Sequence, residues 1–440
     1  LTLFPLYYNF FSLLGVRIVL PDQVAEGAAR RLVTSMCYPA EVAMGLFENL
    51  IKKKPDYVFM PFAKELYVPG GIAKLDYCAT CGFSRGEGFY IKQAFFGPGK
   101  REESSLPMLT PFLNFNSGWE KGKAALVDLG VSLGFTRSLA ENAFDKAVAL
   151  QYSFEEELRL SGEMILAELA ADPEAIGIVL FGRAYNAFAP ETNKGIPRKF
   201  SSRKVVIFPY DMLPWHEEPI PAEYARSMHW EAGQRLLRAA ALVARHPQLF
   251  GCFITNFLCA PDSFLVPYFR KLMGSKPSLT LELDAHTADA GINTRVDAFL
   301  DIIRNYRRIQ DRTASVVEPF QAARVSFEQH GTVFVDSDGR RFPFTDPRVK
   351  ILLPSVGRYG ANALAAVFRG MNMRTEALPP SDADTLKLGR SVTTGKECMP
   401  LIVCIGGLLK YLRDRNPADA GEKLMLFLPE ASGHCRLGQY

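Results

Sequence analysis

The chain has 440 residues, of which 48% are hydrophobic and 22% charged, with a net charge of +4. That length buries a large core and accommodates two or three domains, and the composition excludes a disordered chain. A net charge this small excludes a strong field for nucleic acid or an anionic membrane.

In chain order, residues 1–15 read as a buried helix. The uncharged run from Leu1 to Val16 is too short to span a bilayer, holds Pro5 and Asn9, and lacks a basic leader. A strand is expected over Val16–Leu20, an amphipathic helix over 39–53, a strand over Asp56–Pro61 and a helix over Gly82–Phe95. Ser138–Ala171 is rich in Ala, Glu and Leu and free of Pro, which predicts a long helical arm. Further strands are expected at Ile176–Phe181, Lys204–Pro209, Phe250–Asn256 and Ser278–Asp284, with helices over 222–245 and 294–309. This alternation favours a parallel, doubly wound α/β sheet. Thr332–Phe344 reads as a hairpin turning at Asp338–Gly339. The expected organisation is an α/β unit with a helical arm (1–172), a second α/β unit (173–312), a linker with a hairpin (313–348) and a third unit (349–440).

The third unit repeats the first in its order of parts. Phe10–Gly15, Leu20–Pro21, Cys37–Tyr38–Pro39, Val58–Pro61 and Cys81 have counterparts in Ala366–Gly370, Leu378–Pro379, Cys398–Met399–Pro400, Leu426–Pro429 and Cys435. Residues 349–440 therefore read as the start of a second copy.

A chain of this size needs no disulfide staples, so its eight cysteines are expected as reduced thiols. Cys37, Cys259 and Cys398 each stand two residues before a proline. Proline favours the first turn of a helix, which puts the cysteine at the cap, facing free N–H groups and the positive end of the dipole. That setting favours the thiolate that binds metal. Loops after parallel strands share one sheet edge, where Cys37, Cys81 and Cys259 converge as ligands of an iron–sulfur cluster. The plain alternative is core packing, which is the reading of Cys252 and Cys404. Cys78 and Cys81 form one C-x-x-C, so a zinc half-site or redox pair stays open.

Arg183, Tyr185 and Asn186 follow a strand toward the same edge, where they contact a ligand or anchor their own loop. Glu282 and His286, with Asp284 and Asp289, cluster at a strand end, as a site or as turn and cap partners. Gly97–Lys100 lacks the spacing and hydroxyl of a phosphate loop, so no ATP site is expected in this chain.

At Gly182–Asn186, Asn193–Pro197, Thr255–Phe264, Leu281–Gly291, Gly395–Pro400 and Cys435–Tyr440 the sequence resembles the CoA-substrate-specific enzyme activases. The likeness is to their region related to 2-hydroxyacyl-CoA dehydratase subunits and double-cubane-cluster proteins. It implies tandem Rossmann-like parallel-sheet units with a helical arm, as in those subunits. It also implies a 4Fe–4S or related cluster on Cys37, Cys81 and Cys259, with Cys398 and Cys435 beginning a second set and Cys78 competing with Cys81. Arg183, Tyr185, Asn186, Glu282 and His286 would then stand beside the cluster or the substrate. The implied role is low-potential electron transfer in a cytoplasmic, anaerobic, ATP-dependent system. Its partners would be an ATPase activator and an acyl-CoA; a homodimer is open to it, and no nucleic acid or membrane partner is expected. Two other readings stay open: a dehydratase or reductase in its own right, and a cluster-free CoA- or nucleotide-binding regulatory module.

Overall fold

The uncharged, aromatic-rich opening of the chain folds as the expected helix, α1 (Phe4–Leu13), in the computed structural model. The model describes residues 2–27, 31, 37–71, 78–97, 106–257, 259–310, 321–328, 331–355, 357–393, 397–416, 421–429 and 435–439. Val16–Leu20 does not form the expected strand; Val16 and Ile18 pack instead against an aromatic core. Next comes α2 (Tyr38–Lys52), with Cys37 at its cap and a proline in its first turn. The strand expected over 56–61 splits into β1 (Val58–Phe59) and β2 (Phe62–Ala63). The expected helix at Gly82 divides at Gly86 into α3 (Gly82–Arg85) and α4 (Glu87–Phe96). β3 (Met108–Leu109) pairs with β1, and β4 (Phe112–Leu113) with β2, both parallel. Pro61 and Pro111 interrupt the two runs, because proline gives no N–H to a ladder.

After α5 (Lys123–Ser132) comes the long arm, α6 (Arg137–Ala171), whose cap Thr136 accepts from the Leu139 N–H through its hydroxyl at 3.3 Å. α1 lies along it. The buried Gln151 side chain accepts from Leu6 N–H at 3.1 Å and donates to the Thr2 carbonyl at 3.1 Å, so helix end and arm satisfy each other.

The strands then lengthen. β5 (Gly177–Phe181), α7 (Ile196–Ser201), β6 (Val206–Pro209), α8 (Glu231–Arg245), β7 (Leu249–Asn256), α9 (Asp262–Met273), β8 (Ser278–Leu283) and α10 (Asp289–Gln310) form a parallel sheet of order β6-β5-β7-β8. Every residue of β5 and β7 is buried, as expected for central strands covered on both faces. Leu236, Leu237 and Phe269 of α8 and α9 fill one face; Phe200, Val296 and Ile303 of α7 and α10 fill the other. The chain leaves β5 toward β6 on one side and returns to β7 on the other, which makes the gap between the ends of β5 and β7 the topological switch point. The helix expected from residue 222 starts only at Glu231, because the residues before it pair with Ala79. The Ala79 N–H donates to the His229 carbonyl at 2.9 Å and Glu231 N–H to the Ala79 carbonyl at 3.1 Å.

These elements belong to one compact part of the chain, within 1–311, and the remainder to a second, within 312–440. The second part opens with β9 (Arg324–Glu328), β10 (Gly331–Val335) and β11 (Arg341–Pro343), an antiparallel sheet that includes the expected hairpin. Asp336 Oδ1 accepts from the Asp338 and Arg340 N–H groups to close the turn, and Gly339 takes the positive φ it needs. β9 lies outside the expected hairpin and is not among the strands expected from the sequence. β12 (Val349–Leu353), α11 (Arg358–Gly370), β13 (Thr375–Ala377), α12 (Ala383–Val392), α13 (Met399–Asp414) and β14 (Lys423–Leu426) follow, with β12 between β13 and β14 in a parallel sheet. Among the described residues, no helix is long and apolar enough to cross a membrane.

Gly162 marks where α6 presses closest on its surroundings, since a Cβ there would collide with the Met212 carbonyl. Gly162→Ala should lower the thermal melting midpoint followed by circular dichroism, by an amount equivalent to about 1–3 kcal/mol of overpacking.

Candidate functional site

The polypeptide turns sharply at the end of β5. Gly182 has φ +137°, and a Cβ there would lie 2.6 Å from the Ile254 carbonyl of β7, so only glycine lets the next residue enter the switch point. That residue is Arg183, 6% exposed. Its Nη2 donates to Cys259 Sγ at 2.6 Å and to Asp262 Oδ2 at 3.2 Å, and Thr255 Oγ1 donates to the same carboxylate oxygen at 2.6 Å. The guanidinium also lies 5.2 Å over the Tyr185 ring. Burial works against the Arg183 charge, but Asp262 and Cys259 outweigh it and hold its pKa well above the ordinary value.

Cys259 follows β7 but is not at the expected cap: Pro261 is the N-cap of α9 and Cys259 stands two residues before it, its Sγ still accepting from the Asp262 N–H at 3.3 Å. Cys37 stands at the cap of α2 with φ −67° and ψ 148°, and Cys81 at the cap of α3 with φ −59° and ψ 134°. Burial raises the Cys37 and Cys259 pKa values above that of a free thiol. Arg183 pulls both down, while the charge on Cys81 pushes both up. Three cysteines from three separate elements thus share one electrostatic neighbourhood centred on a buried guanidinium. A protonated thiol pushed up by burial becomes a ligand when a metal displaces the proton.

The other expected residues are placed as follows. Cys78 points into the core beside Val68 and Trp230, and burial pushes its pKa up to about 11. Of the C-x-x-C pair, only Cys81 joins the thiol group. Asn186 is buried and ties its loop to β7 through the Ile254 carbonyl, 3.4 Å away. Glu282 is the last residue but one of β8, and the exposed His286 donates its backbone N–H to Asp284 Oδ1 at 2.9 Å. Thr287 Oγ1 donates to the same Asp284 oxygen at 2.7 Å, so Asp284 closes this turn. Cys398 caps α13 and Cys435 is exposed; both lie in the second part of the chain. Among the described residues, no group of three or more His, Cys, Asp or Glu side chains is placed to hold a single metal ion.

A cavity of about 970 Å³ opens beside the thiols, with Cys81, Arg183 and Tyr185 in its wall. Glu87 and Asp211, which the sequence did not single out, also line it. Burial pushes Glu87 up to about 7 and Asp211 up to about 6. The lining runs from Thr2 to Leu265, so no local pattern announces it.

A carboxyl whose pKa rises on folding binds its proton more tightly in the folded chain. Its stabilising contribution is therefore complete below the unfolded value and lost as the pH climbs through the folded one. For Glu87 that window runs from its ordinary 4.5 up to about 7. Glu87→Gln should flatten the fall in melting midpoint across this range and leave the variant the more stable protein at pH 8, as read by thermal melts at stepped pH.

No curated protein matches the chain. Residues 1–213 match the family described as CoA enzyme activase uncharacterised domain. The match takes in the caps at Cys37 and Cys81 and the Arg183–Tyr185 turn, and stops short of Cys259. Over residues 1–213, just under half of its length, the chain is therefore similar to this CoA enzyme activase domain.

Proposed function

We propose that this chain is the iron–sulfur component of an ATP-dependent, low-potential electron-transfer system, its cluster held by Cys37, Cys81 and Cys259. The observation that carries the reading is the gathering of these three thiols around Arg183 at the switch point of the sheet. The donor set fits such a group: iron–sulfur clusters are held by thiolates, and hydrogen bonds to sulfur and local charge set their potential. Arg183 supplies both, and its buried Nε has no partner within the protein. When bound, the cluster supplies one-electron redox chemistry. Arg183 would offset the negative charge of the thiolates, and Asp262 and Thr255 fix the guanidinium.

The activase-type domain supports partnership with an ATPase and with CoA substrates; the ATPase activator, an acyl-CoA and a cytoplasmic setting belong to this proposal. A second reading, a dehydratase or reductase acting on its own substrate, is favoured by one feature, the cavity against Cys81. Turnover of 2-hydroxyacyl-CoA by the reconstituted chain alone would select it. A zinc half-site at Cys78 and Cys81 is disfavoured by the burial of Cys78 in the core.

The test is iron and acid-labile sulfide analysis after anaerobic reconstitution. Brown protein with comparable iron and sulfide is expected. Cys81→Ser should lose most of the iron and Cys78→Ser should retain it. Protein that stays colourless and iron-free would overturn the proposal and leave the cluster-free binding module.

A further inference from the structure

A strand at the edge of a sheet presents a row of backbone N–H and C=O groups ready to pair with another chain. β9 (Arg324–Glu328) is such an edge, in the order β11-β10-β9. The ladder fixes which of its groups point outward. The Asp336 N–H donates to the Arg340 carbonyl at 2.9 Å, so Asp336 faces β11. Backbone groups alternate sides along a strand, so Phe334 also faces β11, while Val333 and Val335 face β9. Their partners there are Ser326 and Arg324, which leaves the N–H and C=O groups of Val325 and Phe327 pointing away from the sheet. No loop or side chain of the described residues bonds to these groups.

The side chains of the strand carry a second signal. Phe327 is 75% exposed and Val325 39%, and Val325 stands opposite the buried Phe334. Phe334 packs in turn on Phe342, with 6.2 Å between ring centroids, so the apolar face runs outward to an uncovered edge. On the other face the strand begins with Arg324 and ends with Glu328, opposite charges four residues apart. Arg324 has no ion-pair partner among the described residues. Glu328 pairs with Arg341 of its own chain, and its carboxylate keeps acceptor sites for a second guanidinium.

One occupant answers all three features: another β9, laid antiparallel with Ser326 opposite Ser326. The outward groups of Val325 then meet those of Phe327, and each pair exchanges both hydrogen bonds. Val325 packs across from Phe327, a β-branched–aromatic pairing that stabilises sheets, and Arg324 stands opposite Glu328 at both ends. A parallel copy in register would set Arg324 beside Arg324 and Glu328 beside Glu328. A slip of one residue would set Val325 against Ser326, whose backbone groups already point the other way.

We propose that β9 is a self-association edge, through which two copies of this chain join by antiparallel pairing about a two-fold axis at Ser326. The result is a continuous sheet of order β11-β10-β9-β9-β10-β11. The same patch serves both subunits, so the contact closes at the dimer. It requires neither the thiols nor a cluster.

Sedimentation velocity on the full, iron-free chain, from about 1 to about 100 μM, should show a reversible monomer–dimer equilibrium. Arg324→Glu makes the edge all acidic and Glu328→Arg makes it all basic, so each variant alone should weaken the dimer about tenfold. An equimolar mixture of the two should restore it as a heterodimer with opposite charges at both ends, a result that misfolding of either variant could not give. Ser326→Cys places two thiols face to face at the axis. Mild copper–phenanthroline oxidation should then join two chains, with peptide mapping finding the bridge at position 326 rather than at the native cysteines. A chain that sediments as a monomer over the whole range sinks the proposal and leaves the edge to a different protein. A dimer that neither charge variant weakens, that the mixture fails to restore, or whose cross-link omits position 326 is built on another face and refutes it equally.

Discussion

Arg183 is a charge in the interior, and the architecture around the sheet edge follows from keeping it there. Taking a guanidinium out of water costs several kcal/mol unless a partner of opposite charge and well-placed hydrogen bonds accompany it. Asp262 is that partner, at 2% exposure, and Thr255 fixes its carboxylate from the C-terminal end of β7. The sheet order makes the arrangement available: β5 and β7 are neighbours, so the residues following each meet over one gap. With the charge in place, a thiol beside it has a reason to ionise. Burial raises the pKa of Cys259 as it does that of Cys252, but Cys259 alone of the two has the Arg183 guanidinium within hydrogen-bond distance, which makes it the ligand candidate.

The N-terminal thiols reach this gap through backbone bonds. The Ala79 bridge to Trp230 docks the segment ahead of Cys81 against α8. Arg238 tightens the same join, donating from Nη1 to the Pro69 carbonyl at 2.6 Å and from Nη2 to that of His216 at 2.7 Å. Arg235 adds a bond to the Tyr67 carbonyl at 2.5 Å. Guanidinium forks suit this work because one side chain satisfies several loop carbonyls that would otherwise be buried unpaired. The 79–81 stretch then lies on the wall shared by thiols and cavity, with Cys78 turned into the core on one side and Cys81 toward the guanidinium on the other.

The second part of the chain repeats the local device. Cys398 caps α13 with φ −70° and ψ 149°, nearly the values of Cys37, and a proline again occupies the first turn. The two helices share one cap geometry because each begins with the same Cys-x-Pro pattern.

The sequence by itself determined the features that depend on near neighbours. Period and apolar runs placed β5, β7, β8 and the arm α6, and Cys-x-Pro placed Cys37 and Cys398 at helix caps, because caps and amphipathic faces are set within one or two turns. Tertiary structure decided whatever needed a distant partner. Val16–Leu20 has strand composition but no strand beside it, α8 starts nine residues late because Ala79 claims the preceding backbone, and Asp284 closes a turn with His286 and Thr287. The choice of Cys81 over Cys78, the pairing of Arg183 with Asp262 and Cys259, and a cavity lined from Thr2 to Leu265 are likewise products of packing. Burial and charge at a point sum over everything folded around it, and that sum has no counterpart in any local stretch of sequence.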